Sequence, residues 1–85
     1  MTAEELVGRD AYELADALLE VLHERMQGEG LSVNRLAGLS GIQQPTLLRK
    51  LRAQGRLTVD EWDRVAVALG EPGLEALLEA ARRRV

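Results

Sequence analysis

The sequence predicts an all-α fold, with five helices in a single domain spanning residues 1–85. The chain has only two aromatic residues, Tyr12 and Trp62, and no phenylalanine. Leucine, alanine and valine must therefore form the core, which favours helices. Apolar residues also recur three and four positions apart rather than alternating, as they do on one face of a helix. Finally, helix-capping residues stand at the start of several of these periodic segments.

Composition argues against several kinds of function. The chain has no cysteine, so neither a disulfide framework nor a thiolate metal site is expected. Its one histidine, His23, has no suitably spaced metal-binding partners, and we interpret it as a surface or half-buried residue. Because a glycine-rich phosphate loop is also missing, we expect no enzyme, cofactor, metal or small-molecule ligand. No apolar run or leader pattern points to a membrane, so a soluble cytoplasmic protein is expected.

The N-terminal third predicts one long helix. Residues 1–9 are ambiguous, because Thr2 and Glu5 have capping-box spacing but Gly8 interrupts soon after. Asp10 and Glu13 repeat that spacing, so we expect the long helix to begin near Ala11 and to end before residue 28. Its predicted core face consists of Ala11, Leu14, Ala15, Leu18, Leu22 and Met26.

Residues 32–53 predict two short helices joined by a tight turn. Ser32 is a suitable N-cap for a first helix over about 32–39. Gly41 then interrupts, where a turn needs a positive φ. A second helix follows over about 44–53, with Leu47 and Leu51 facing inward. This is the helix-turn-helix pattern, in which the second helix enters the DNA major groove.

The C-terminal part predicts two further helices. Thr58 and Glu61 form a capping box, and Trp62 is expected to anchor the core beneath it. The last helix is expected over about 72–84, and its apolar stripe is richer than a terminal helix needs. This stripe either covers the domain's own core or forms a two-fold dimer contact. The residues of the proposed dimer contact are Leu74, Leu77, Leu78 and Ala81.

Charge is segregated along the chain. The total is −3, but residues 1–30 hold eight acids and two bases, and residues 60–85 hold six acids and four bases. Residues 31–59 hold five bases and no acid. Such a local basic patch is what phosphate contact requires, and total charge is a weaker guide. The five bases are Arg35, Arg49, Lys50, Arg52 and Arg56.

The same stretch carries a family resemblance. Within LAGLSGIQQPTL, the pairs Leu36-Ala37, Gly41-Ile42 and Thr46-Leu47, followed by LTVDEWDRVAVALG, resemble the Cro and phage-repressor (XRE-type) helix-turn-helix family. The resemblance covers about residues 32–70, roughly half the chain. One position departs from the family pattern, because Lys50 stands where an apolar residue is usual and Leu51 takes over that core role.

The resemblance implies a compact bundle of the lambda-repressor-like type. It also implies a sequence-specific regulator from a phage or a bacterium that occupies a double-stranded DNA operator and blocks polymerase. The alternative is a protein-interaction module, such as an antitoxin or an assembly helix-turn-helix, with little DNA binding. Steep salt dependence of DNA binding would favour the regulator, because counterion release accompanies phosphate contact.

Helical projection assigns roles to the predicted interface. With Leu47 and Leu51 inside, Arg49 points outward, since each residue turns the helix by about 100°. Arginine pairs with guanine and glutamine with adenine, so Gln44 and Arg49 are the predicted base-contacting residues, with Gln43 and Thr46 as second choices. The alternative is a solvated polar face. The predicted phosphate ligands are Ser32, Asn34, Arg35, Lys50, Arg52 and Arg56.

Overall fold

The computed structural model describes the backbone of residues 3–52 and 56–85, and the side chains of that part from residue 13 onward. This part of the chain contains five α-helices and no strand, which confirms the all-α fold class. The helices are α1 (Ala3–Glu29), α2 (Val33–Ser40), α3 (Gln44–Arg52), α4 (Val59–Ala68) and α5 (Leu74–Arg82).

Helix α1 begins earlier than the sequence predicted. It starts at Ala3 rather than near Ala11 and continues through Gly8. A glycine inside a helix costs only about 1 kcal/mol relative to alanine, and extending a helix is easier than nucleating one. The resulting 27 residues account for the molecule's longest dimension of 43 Å. Despite this length, no helix among the described residues is long and apolar enough to cross a membrane.

The core face of α1 is also rotated from the predicted one. Leu18, Leu22 and Met26 are buried as expected, but Ala15 is exposed. Ala17 and Val21 are buried instead, because α1 packs against α5 and needs a wider apolar stripe than the prediction allowed. Leu14 is half-buried, and the predicted core residue Ala11 lies outside the described side chains.

One fully buried side chain from each helix meets in the core. Each of the five has a relative exposure of 0%, so no helix is peripheral to the packing. A chain this small needs every helix to bury enough apolar surface. The five residues are Leu22, Leu36, Leu47, Val65 and Leu77.

Helix α5 packs against α1 and α4, and α4 also packs against α2. The predicted capping box of α4 is confirmed, and Trp62 is buried in the core. Helix α5 begins at Leu74 instead of Pro72, and its N-cap, Gly73, has no side chain to offer. A carboxylate oxygen of Asp63 takes over the cap, accepting a hydrogen bond from the Leu74 N–H at 2.9 Å. The helix ends at Arg82, two residues before the predicted end.

Candidate nucleic-acid interface

The turn between α2 and α3 is three residues long and is locked by hydrogen bonds. Gly41 has φ +76° and ψ +13°, the left-handed conformation that the sequence predicted for it. Its N–H donates to the Ala37 carbonyl at 3.0 Å. The buried Ser40 hydroxyl donates to the same carbonyl at 3.3 Å and accepts from the Ile42 N–H at 3.4 Å. These bonds, with the buried Ile42 side chain, hold α3 in a fixed direction relative to α2.

The role of Ser40 was not anticipated from the sequence. It is a buried polar side chain whose hydrogen-bonding needs are met inside the turn. A serine directly before a glycine at a helix end was the available signal, since serine often bonds to nearby backbone in such positions.

The N-terminus of α2 is capped as predicted. The Ser32 hydroxyl oxygen accepts a hydrogen bond from the Arg35 N–H at 3.1 Å. The other first-turn amides have no partner within a helix, and the positive end of the helix dipole lies here. Ser32, Asn34 and Arg35 are all exposed at this end. The arrangement is therefore accessible to an anion.

Helix α3 has the predicted rotation. Leu47 and Leu51 are buried, and Arg49 is exposed on the opposite side. Gln44 and Thr46, in the first turn, are half-buried, and Gln43 before it is exposed. The helix ends at Arg52, and the predicted last residue, Ala53, lies outside the described part of the chain. The outward face of α3 is thus polar and basic.

Four exposed arginines in this region form no ion pair with any carboxylate that the structure describes: Arg35, Arg49, Arg52 and Arg56. Most of the described arginines outside residues 31–59 form an ion pair. The pairs are Arg25 with Glu71, Arg64 with Asp60, Arg83 with Glu79, and Arg84 with Glu20 and Glu24. The positive charge of residues 31–59 therefore remains largely uncompensated at the surface of α2 and α3.

Lys50 differs from these arginines. Its ammonium nitrogen lies 2.6 and 2.8 Å from the two carboxylate oxygens of Glu61, on α4. This hydrogen bond from Lys50, followed by one from the Thr58 N–H, lowers the pKa of the Glu61 carboxyl below its usual value. The predicted phosphate ligand thus already has an anionic partner within the protein.

The predicted dimer contact on α5 needs correction. Leu77 and Ala81 are fully buried in the chain's own core, because α5 packs against both α1 and α4. They are not available to a partner. Leu74 and Leu78 are half-buried at the edge of the same stripe. Most of the apolar richness of α5 is thus explained by the packing of a single chain.

No group of three or more histidine, aspartate or glutamate side chains in the described part of the chain is arranged to hold a metal ion. The chain gives no match to protein-family models, to curated proteins or to solved structures. Its function is therefore inferred from its residues and their geometry.

Proposed function

We propose that this protein is a sequence-specific double-stranded DNA-binding regulator that acts through α2, the turn and α3. The observation that carries the proposal is the outward face of α3. The apolar residues of α3, Leu47 and Leu51, are buried on its inward face. Arg49 and Arg52 are exposed and have no described carboxylate partner. A helix with exposed arginines, joined to a preceding helix by a three-residue turn with a left-handed glycine, suits insertion into the major groove.

Base contacts are assigned to the first two turns of α3. Arg49 has five N–H donors in a planar fork that matches guanine O6 and N7. Gln44 offers an amide donor and acceptor that match adenine N6 and N7. Gln43 and Thr46 are secondary candidates at the same end of the helix. These side chains would determine which operator the protein occupies, and occupancy would exclude polymerase.

Phosphate contacts are assigned to the flanks. The exposed N-terminus of α2, with Ser32, Asn34 and Arg35, suits one phosphate group, because free amides and the helix dipole both favour an anion. Arg52 and Arg56 suit phosphates on the other side of α3. If Arg35, Arg52 and Arg56 each neutralise one phosphate, the logarithm of the affinity should fall with the logarithm of salt concentration with a slope of roughly −3.

The acidic residues on both sides of the basic stretch favour specific over non-specific DNA binding. Residues 1–30 and 60–85 carry net charges of −6 and −2, against +5 for residues 31–59. DNA is therefore attracted to one region of the chain and repelled by the others. This distribution favours a single orientation on the duplex.

Selection of bound sequences from a random duplex pool at near-physiological salt tests the proposal. We expect enrichment of a short motif. An inverted repeat with centres about 34 Å apart would indicate a two-fold dimer on the operator. A single half-site would indicate a monomer. Absence of enrichment would contradict specific DNA binding.

A matched pair of arginine substitutions then tests the assignment of Arg49. Arg49→Ala should weaken binding to the selected site by about 1–3 kcal/mol and relax the preference at one base pair. Arg82→Ala is the control, because Arg82 is an exposed arginine on α5 that, like Arg49, has no described ion-pair partner. It should leave the base preference unchanged. Equal effects of the two substitutions would refute the base-contacting role.

A protein-interaction module is the second candidate. It is favoured by exposed apolar side chains on α4, where Val59 is 74% exposed and Val67 is 55% exposed. A weak dependence of DNA binding on salt, together with no selected motif, would favour this alternative.

A further inference from the structure

Among the ion pairs that the structure describes, one joins a basic residue of α3 to another helix: Lys50 pairs with Glu61, on α4. The Lys50 ammonium nitrogen contacts both carboxylate oxygens of Glu61, at 2.6 and 2.8 Å. The two side chains are 25% and 17% exposed, whereas Arg49 and Arg52 are exposed and have no described ion-pair partner. A partly shielded pair is screened less by salt than a fully exposed one. The contact is therefore a persistent link between the two helices.

Glu61 is itself held in place. One of its carboxylate oxygens accepts a hydrogen bond from the Thr58 N–H at 2.9 Å, and its own N–H donates to the Thr58 hydroxyl oxygen at 3.1 Å. This reciprocal capping box fixes the first turn of α4, which the buried Trp62 and Val65 anchor in the core. The carboxylate that meets Lys50 thus belongs to a rigid part of the fold.

Lys50 lies to one side of the buried stripe of α3. Leu47 and Leu51 keep the helix against the core and set its approximate rotation, but apolar packing is non-directional, so a hydrogen-bonded ion pair beside this stripe restrains the remaining rotation about the helix axis. Lys50 follows Arg49 by one residue, so a restraint on Lys50 also fixes the direction of Arg49. With a helix radius of about 5–6 Å including side chains, a rotation of about 20° would move an outward tip by about 2 Å. Hydrogen bonds to a base edge tolerate only a few tenths of an ångström.

We propose that Glu61 is a positioning residue, which holds Lys50 and thereby fixes the rotation of α3 that presents Arg49 to the bases. In this arrangement Lys50 serves the orientation of the helix and not phosphate binding, which replaces the role that the sequence predicted for it. The inference rests on the proposed DNA-binding function.

Four substitutions distinguish the positioning role of the Lys50–Glu61 pair from the direct attraction of the Lys50 charge to DNA. Glu61→Gln keeps an oxygen for the capping box but removes the charge, and Lys50→Gln removes the other partner. Lys50→Arg keeps a cation that can pair with the carboxylate. Asp60→Asn is the matched control, because it removes an acid from the preceding residue, an exposed one whose partner is Arg64. The measured quantity is the ratio of affinities for the selected duplex and for a scrambled duplex, over a range of salt concentrations.

Glu61→Gln and Lys50→Gln should each lower this ratio about fivefold or more, since a displaced Arg49 loses much of a bidentate base contact. The double variant should lose no more than either single one, because both break the same link. Lys50→Arg should restore most of the ratio, and Asp60→Asn should leave it unchanged. The salt slope of Lys50→Gln should equal that of the wild type.

Two results of the affinity measurements would overturn the inference. If Lys50→Gln weakened binding to both duplexes equally and reduced the magnitude of the salt slope by about 1, Lys50 would be a phosphate ligand. If Glu61→Gln kept the wild-type ratio, the pair would not position the helix.

A measurement without DNA keeps this inference distinct from the proposed function. Amide hydrogen exchange in α3 should be faster in Glu61→Gln than in Asp60→Asn, because only the former releases the helix from α4. Equal exchange in the two variants would overturn the positioning role even if DNA binding were established. If the wild type selected no DNA motif, the proposed function would fail, and the exchange data alone would decide whether the pair restrains α3.

Discussion

The turn between α2 and α3 can be tested with one substitution made at two nearby glycines. Gly41 has φ +76°, and a Cβ added there would meet nothing within 4 Å. Gly38 lies inside α2, and a Cβ added there would also meet nothing within 4 Å. Any difference between the two alanine variants therefore comes from backbone conformation and not from a clash.

The two substitutions should have opposite signs. Gly38→Ala should stabilise the domain by about 0.5–1 kcal/mol, because alanine loses less backbone entropy in a helix. Gly41→Ala forces a Cβ into the left-handed region, which costs about 1–2 kcal/mol and outweighs the same entropy gain. We expect a net destabilisation of about 1 kcal/mol. For a domain of this size, 1 kcal/mol corresponds to a change in Tm of about 4–8 °C.

Thermal unfolding followed by circular dichroism measures both variants against the wild type. We expect Tm to rise for Gly38→Ala and to fall for Gly41→Ala. If Gly41→Ala were as stable as Gly38→Ala, residue 41 would not hold a left-handed conformation. The turn that directs α3, and with it the helix-turn-helix geometry, would then be wrong.

Three further predictions concern the other helices. Asp63→Ala should destabilise the domain by about 1 kcal/mol, as loss of a helix cap does, whereas Asp60→Ala should have a smaller effect; thermal melts of the two variants check this. Leu77→Ala should lower the free energy of unfolding, measured with urea, by about 2–5 kcal/mol. The loss should be the same at protein concentrations tenfold apart, and a concentration-dependent loss would instead place Leu77 in a dimer contact. The pKa of Glu61 is lowered in the folded state. The contribution of its carboxylate to the free energy of unfolding is therefore complete above the ordinary glutamate pKa of about 4.3, and it is lost as pH falls through the lower folded-state pKa. The stability difference between the wild type and Glu61→Gln should thus be constant from about pH 5 to 7 and shrink steadily as pH falls below about 4.3, and a difference that stays constant through this acid range would argue against the ion pair.

The parts of the fold that the sequence predicted well are set by local interactions. The caps of α2 and α4 are bonds between residues three apart, Ser32 with Arg35 and Thr58 with Glu61. The left-handed turn depends on Gly41 itself. The inward pair on α3, Leu47 and Leu51, follows from helical spacing alone. Such features need no knowledge of the rest of the chain, because each lies within one turn or one helix.

The parts that the sequence did not predict depend on distant partners. The start of α5 is set by Asp63, eleven residues before the amide it caps, and Lys50 meets a carboxylate eleven residues away. The burial of Leu77 depends on α1 and α4 lying on both sides of α5. Periodicity identifies an apolar stripe, but it does not say whether the chain itself or a second copy covers that stripe.

The most direct test of the proposed function is to map the DNA contact on the folded protein. Uniformly ¹⁵N-labelled protein is titrated with the selected duplex, and amide chemical shifts are followed by NMR. We expect the largest changes at the N-terminus of α2 and along α3, including Arg35 and Arg49, and small changes on the acidic face of α1 around Glu20. Changes concentrated on α1 or α5, or the same pattern with a scrambled duplex, would contradict sequence-specific DNA binding through α3.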